Sequence, residues 1–186
     1  KDGKTNKEVF ARIPNLEILG CFNNNIKERF GNVVKRDNLA LNISNALLEG
    51  NVDFVQNKLS PLLRSFVSVR DTATKAPHEN YYHGFLNGIF TNCKDNLGEY
   101  HSNIESGDGY PDILFKDIDC RKVAIIELKS APIGSDLVTL SETALSQIEE
   151  KNYSEPFMSN RMIQSIYAYG IAFAGKNCFI TCKKLK

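Results

Sequence analysis

Apolar residues recur at helical spacing through the first third of the chain. They return every three or four positions in residues 16–30, 39–48 and 52–66, which predicts three helices. Gly50-Asn51 separates the last two segments, as a helix end followed by a new N-cap would. Pro61 is expected to kink a helix or to begin one. No polar residues here have the spacing of a site, so the region is expected to pack or to contact a partner.

The pattern after a polar stretch at residues 71–77 predicts an α/β domain. Helical periodicity returns in residues 79–93 and 137–151. A period of two predicts strands, which span residues 100–104, 112–115, 123–128, 166–173 and 178–182. This order of elements predicts a mixed central β-sheet flanked by helices. We therefore divide the chain into a helical region, residues 1–75, and an α/β domain, residues 76–186.

Charge is nearly balanced over the whole chain but not along it. The 23 basic and 22 acidic residues give a net charge of +1. Residues 1–75 carry 12 basic and 8 acidic side chains, and residues 76–186 carry 11 and 14. An acidic second part argues against bulk electrostatic binding of nucleic acid as its main activity.

Cysteine usage and hydropathy bear on location. The five cysteines lack a CxxC pair, which is typical of free thiols in a reducing compartment rather than of disulfides or a zinc site. The charge-free residues 162–175 are too few to span a bilayer, and no leader pattern opens the chain. We expect a cytoplasmic protein without a membrane partner, although a secreted effector without a cleavable signal would share these features.

Two carboxylates stand out because each is embedded in an apolar strand. Glu127 follows a Val-Ala-Ile-Ile run that is typical of a strand buried on both faces, and Asp112 opens another predicted strand. Glu127 and Lys129 are two residues apart, so both side chains project from one face. If the two strands pair, the carboxylates and the ammonium converge at one end of the sheet. Ionised groups in such surroundings need a partner or a metal.

Spacing alone leaves this cluster with two interpretations. Two carboxylates about 4 Å apart repel by about 4 kcal/mol at an effective dielectric of about 20, and a divalent cation removes that cost. Hard oxygen ligands suit Mg²⁺ or Mn²⁺ rather than zinc, and Lys129 could then hold an attacking water or stabilise a charged transition state. In the other interpretation, Glu127 and Lys129 form a structural ion pair in an inert domain.

These residues resemble the defining motif of the PD-(D/E)XK nuclease superfamily. Pro111-Asp112 is followed by fourteen residues and then by Glu127-Leu128-Lys129. Further blocks resemble a branch that is fused to an AAA-ATPase-like domain in many bacterial proteins: residues 79–85, 102–109, 144–153 and 169–176. Residues 1–75 resemble the helical tail of the ATPase-like part, with Ile13-Pro14-Asn15 as the clearest marker. The resemblance implies a restriction-endonuclease-like core.

The resemblance also implies a metal-dependent site that cleaves DNA. It implies that Asp112, Glu127 and the main-chain carbonyl of Leu128 bind Mg²⁺ or Mn²⁺, and that Glu79 completes the metal site. Lys129 would assist the attacking water.

Other matched positions are implied to support catalysis or to contact the substrate. Gln147 would face the site from the helix after the motif. Lys151 stands where the RecB-like pattern has a tyrosine, and Tyr153 is the expected substitute. His83 would contact a phosphate or the metal shell, and Glu105 would support the site without binding metal.

The functional hypothesis is therefore a magnesium-dependent endodeoxyribonuclease. The alternative is a non-catalytic module of the same fold that binds nucleic acid or a protein partner for an ATPase-like protein.

Overall fold

Residues 38–67 and 78–186 are described by a computed structural model, and they form a five-stranded mixed sheet flanked by helices. The helices are α1 (Leu39–Leu48), α2 (Val52–Phe66), α3 (His78–Phe90), α4 (Leu137–Glu150) and α5 (Glu155–Met158). The strands are β1 (Glu99–Ser102), β2 (Ile113–Lys116), β3 (Lys122–Ser130), β4 (Ser165–Ala174) and β5 (Asn177–Lys184). The predicted α/β class, with a restriction-endonuclease-like arrangement, is confirmed. No helix within these ranges has the length and apolarity needed to cross a membrane.

Some predictions lie outside the described residues, and one of the two alternatives for Pro61 is excluded. The predicted helix at residues 16–30, the marker at residues 13–15 and the domain boundary after residue 75 lie in stretches that the structure does not describe. Pro61 lies inside α2, so no new helix begins there. The short helix α5 was not predicted, because four residues are too few to show a period.

The sheet has the strand order β1-β2-β3-β4-β5. β3 and β4 pair in parallel, with α4 in the connection between them, and the other neighbouring strands are antiparallel. In the β2–β3 register, Ile113 lies opposite Ile126. Extending this register by one residue places Asp112 opposite Glu127, where side chains of an antiparallel pair share one face.

Alternate residues of β3 face two separate hydrophobic layers. Ile126 and Leu128 belong to the larger cluster, which includes residues of α1, α2 and α3. Val123 and Ile125 belong to a smaller cluster, which includes residues of α4. Because successive side chains of a strand point to opposite faces, Glu127 shares the α4 face with Val123 and Ile125.

Helices α1 and α2 share the larger core with α3 and the sheet. The hydroxyl of Tyr169 in β4 donates a hydrogen bond to the main-chain oxygen of Leu47 in α1 at 2.6 Å. The amide of Gln56 in α2 donates to the main-chain oxygen of Cys178 in β5 at 2.8 Å. These contacts connect α1 to β4 and α2 to β5.

We expect Tyr169→Phe to lower the free energy of unfolding by about 1–2 kcal/mol, because it removes the close donor to a buried carbonyl. Burial raises the pKa of Tyr169, so its hydroxyl remains protonated and able to donate at neutral pH. Urea unfolding measures the change. Tyr167→Phe is the matched control, since no hydrogen bond to the Tyr167 hydroxyl is found in the described part of the chain, and it should change stability by less than about 0.5 kcal/mol. Equal stability of the two variants would contradict this prediction.

Candidate active site

The two motif carboxylates meet at the point where β2 begins. Asp112 directly precedes β2, and its Oδ2 accepts a hydrogen bond from the main-chain N–H of Leu128 at 2.8 Å. This bond ties the Asp112 carboxylate to β3, one residue beyond Glu127. Burial raises the pKa of Asp112, while the Leu128 N–H, His83 and Lys129 act in the opposite direction. The β2–β3 pairing, on which the predicted convergence of the two carboxylates depended, thus brings them together.

Glu127 is a buried carboxylate with one oxygen satisfied and one not. Its Oε1 accepts from the amide of Gln147 and from the Lys129 ammonium at 3.3 Å. Its Oε2 is buried and has no hydrogen-bond partner among the described residues. Desolvation, followed by the charge of Asp112, raises the pKa of Glu127 to about 7, with Lys129 opposing the shift. A buried acceptor without a donor is costly unless a ligand satisfies it.

The contact between Gln147 and Glu127 depends on close packing of α4 against β4. Gly170 of β4 is the register partner of Glu127. A Cβ atom at Gly170 would lie 1.9 Å from the main-chain oxygen of Ser141 and 2.6 Å from the main-chain nitrogen of Leu145. Glycine is therefore required for α4 to approach this closely, and the approach brings Gln147 within hydrogen-bonding reach of Glu127.

Helix α3 brings two predicted residues to the same end of the sheet. Glu79 lies half-buried in its first turn, and its pKa is raised by desolvation, lowered by Lys129 and raised by Asp112. Glu79 therefore lies within the electrostatic neighbourhood of the motif. The Nε2 atom of His83 lies 3.0 Å from the main-chain oxygen of Asp112, so this ring contacts the main chain of the motif aspartate rather than its carboxylate.

The remaining predicted residues differ in how close they come to the motif. Tyr153 is buried, and its hydroxyl lies 3.5 Å from the Gln147 amide nitrogen. Lys151 is exposed directly after α4. Glu105 is exposed in the loop after β1, and its charge is not among those that shift the pKa values of the motif carboxylates.

Sequence reasoning missed three polar residues behind Asp112, namely Asn87, Tyr100 and Ser102. Their hydrogen bonds connect β1 to α3 and reach the His83 ring. One signal was available, because Asn87 is four residues after His83 and therefore shares its helical face. Tyr100 offered no signal beyond its alternation in a predicted strand, and Ser102 belonged to a block that resembles the family but was given no role.

The site fits a hard divalent cation that retains water ligands. Within residues 38–67 and 78–186, no group of three or more His, Cys, Asp or Glu side chains is arranged to hold a metal by itself. Mg²⁺ does not require such a group, because it is commonly held by one or two carboxylates while it keeps several waters. The partnerless Oε2 of Glu127 beside Asp112 is the donor atom that this arrangement needs.

Comparison with known proteins addresses the same part of the chain. Residues 77–183, more than half of the chain, match the PD-(D/E)XK nuclease superfamily. The matched range includes the motif residues Asp112, Glu127 and Lys129 together with Gln147. No significant match was found among curated proteins. The chain, with its paired carboxylates on adjacent strands of a mixed sheet, belongs to the PD-(D/E)XK nuclease superfamily.

Proposed function

We propose that this protein is a metal-dependent nuclease that hydrolyses phosphodiester bonds in DNA, with Asp112, Glu127 and Lys129 at its catalytic centre. The observation that carries the proposal is the buried, partnerless Oε2 of Glu127 next to Asp112. Membership of a nuclease superfamily supports the reaction class.

The proposed cofactor is Mg²⁺, or Mn²⁺, held by Asp112 and Glu127, with Glu79 and the main-chain carbonyl of Leu128 as further ligands. When bound, such an ion lowers the pKa of a water molecule that it coordinates, and it offsets negative charge on the phosphate. Glu127 must be ionised to act as a ligand, and its raised pKa of about 7 means that protons compete with the metal.

The two oxygens of Glu127 have different roles in this proposal. Oε1 accepts from protein side chains, and Oε2 is available to the metal. Lys129 and Gln147 both donate to Oε1, which leaves Oε2 for the cation. The Lys129 side chain is 24% exposed, so its ammonium can also reach an attacking water or a phosphate oxygen. Gln147 orients the carboxylate, and Tyr153 lies behind Gln147.

Substrate contacts by His83, Lys151 and Tyr153 remain predictions. Lys151 is exposed, as a contact with phosphate requires. His83 and Tyr153 are buried, and their observed contacts are with other residues of the protein. Support of the site by Glu105 also remains a prediction.

Cleavage assays on oligonucleotides test the proposal directly. We expect the parent protein to cut single- or double-stranded DNA with Mg²⁺ and to stop when EDTA is added. Asp112→Asn should lower the rate at least about 100-fold, because a metal ligand and its charge are lost. Asp119→Asn, which changes an exposed turn carboxylate, should cut like the parent.

The same assays include RNA as a substrate. Cleavage of RNA alone would contradict the DNA assignment, and no Mg²⁺-dependent cleavage of any substrate would contradict the nuclease proposal. The alternative, a non-catalytic module working with an ATPase-like protein, is favoured by the near-neutral net charge of +1. It predicts binding without turnover, with salt dependence if the ligand is nucleic acid.

A further inference from the structure

A chain of polar side chains runs behind Asp112 from β1 into α3. The Tyr100 hydroxyl donates to Oδ1 of Asn87, and Nδ2 of Asn87 donates to Oγ of Ser102 at 3.1 Å. The same Nδ2 lies 3.4 Å from Nδ1 and 3.3 Å from Nε2 of His83. Nε2 of His83 in turn lies 3.0 Å from Oγ of Ser102 and 3.0 Å from the main-chain oxygen of Asp112.

The groups at the two ends of these hydrogen bonds, the Asp112 carbonyl and the Tyr100 hydroxyl, determine which atom of each pair is the donor. A main-chain carbonyl only accepts, so Nε2 of His83 must carry the hydrogen that bonds to Asp112. In the neutral ring Nδ1 is then the acceptor, so the Asn87 amide nitrogen, which lies 3.4 Å from Nδ1 and 3.3 Å from Nε2, can donate to the ring only at Nδ1. The Tyr100 hydroxyl holds the Asn87 amide in this orientation through its oxygen. Burial raises the pKa of Tyr100, so the hydroxyl stays protonated and able to donate.

This chain of hydrogen bonds ends at Asp112, which accepts three hydrogen bonds. The main-chain oxygen of Asp112 accepts from His83 and also from the N–H of Asn103 at 3.1 Å. The Oδ2 atom accepts from the N–H of Leu128. Asp112 lies just outside β2, so the regular β2–β3 ladder does not include it. His83 of α3 thus holds the main chain of Asp112 at a position that the β2–β3 ladder does not include.

We propose that His83, Asn87 and Tyr100 are positioning residues that orient the Asp112 carboxylate toward a divalent cation by holding its main chain. The inference rests on the proposed role of Asp112 as a metal ligand, and it gives His83 a role other than contact with the substrate. Partners that orient metal ligands typically contribute about 10–100-fold in metal affinity or activity.

Calorimetric titration of Mg²⁺ into the folded protein tests the inference without any measurement of cleavage. His83→Leu and Asn87→Leu should each raise the Kd for Mg²⁺ about tenfold or more. His83→Gln keeps an amide donor on a long side chain and should restore much of the affinity. Tyr100→Phe, the mildest change, should shift the Kd in the same direction by a smaller factor, and it decides the question if the leucine variants do not fold.

Amide hydrogen exchange separates local positioning from general stability. We expect the Leu128 and Asn103 amides, which hold Asp112, to exchange about tenfold faster in Asn87→Leu. Amides in the middle of β4 should keep the protection of the parent. Parent-like exchange at Leu128 together with parent-like Mg²⁺ affinity would overturn the inference, as would a raised KM for oligonucleotide at unchanged Mg²⁺ affinity. If the parent protein binds Mg²⁺ but cleaves no substrate, the proposed function is refuted and the positioning inference is not. The exchange data then still decide whether these residues position Asp112.

Discussion

Glu127→Gln is expected to lower metal-dependent cleavage about 1,000-fold or more. The change keeps the shape of the side chain, but it removes the charge and the partnerless oxygen offered to the cation. A bound ion supplies several kcal/mol of transition-state stabilisation, and about 1.4 kcal/mol corresponds to a factor of ten in rate. Steady-state cleavage of a labelled oligonucleotide measures the loss. Glu142→Gln, an exposed glutamate on α4, is the matched control and should cut like the parent.

The same variant should be more stable than the parent at alkaline pH when metal is absent. The pKa of Glu127 rises from 4.5 to about 7 on folding, so the native state binds this proton more tightly than the unfolded chain. The contribution of the group to stability is therefore complete below pH 4.5 and is lost as the pH rises through about 7. The shift corresponds to about 3 kcal/mol, which Glu127→Gln does not lose.

Urea unfolding in EDTA at pH 5 and pH 8 measures this difference. Parent and variant should differ by little at pH 5, and the variant should be the more stable at pH 8. Mg²⁺ at about 100 times its Kd should then stabilise the parent by about 2.7 kcal/mol and leave the variant unchanged. Equal stabilisation of both proteins by Mg²⁺ would show that Glu127 is not a ligand.

Gly170→Ala is expected to destabilise the protein by about 3 kcal/mol and to reduce cleavage as well. Its Cβ atom would lie 1.9 Å from a main-chain oxygen of α4, so the helix must move away from β4. Overpacking against backbone typically costs about 1–3 kcal/mol, and at this distance we expect the upper end. The same movement carries Gln147 away from Glu127, which removes a donor from Oε1.

A second glycine offers a control for the backbone effect of the substitution. Gly134 has a φ of +95°, and a Cβ atom added there would have no neighbouring atom within 4 Å, so Gly134→Ala introduces backbone strain without a clash. Strain of this kind costs about 1–2 kcal/mol. Urea unfolding compares the two variants, and the Mg²⁺ Kd shows whether the site is affected. A Gly170→Ala protein as stable as Gly134→Ala would refute the packing argument.

Much of the site could be predicted because its main residues belong to short, periodic segments. Glu127 was recognisable as a charged residue in an apolar run, and the period of two placed Lys129 on the same face. The structure agrees, since their side chains are 3.3 Å apart. Gln147 was found only through resemblance to a family, because a polar residue on a half-exposed helix has no distinguishing pattern of its own.

Other features could not be predicted, because they depend on elements that lie far apart in the chain. Tyr100 and Asn87 are ordinary polar residues in the sequence, and their role follows only from the packing of β1 against α3. The requirement for glycine at position 170 likewise follows from the distance between α4 and β4. Local periodicity predicts neither the orientation of a helix nor its distance from a sheet.

The sequence by itself determined the order of the five strands and of helices α1 to α4, the buried character of β3 and the presence of a charged pair within it. These properties are local, since the period of a helix or strand depends on neighbouring residues. Only the tertiary structure decided that Asp112 lies beside Glu127, that Oε1 of Glu127 has two donors while Oε2 has none, and that α3 holds the main chain of Asp112. Strand register and helix packing bring together atoms from distant segments, and the electrostatics of the site arise from that proximity.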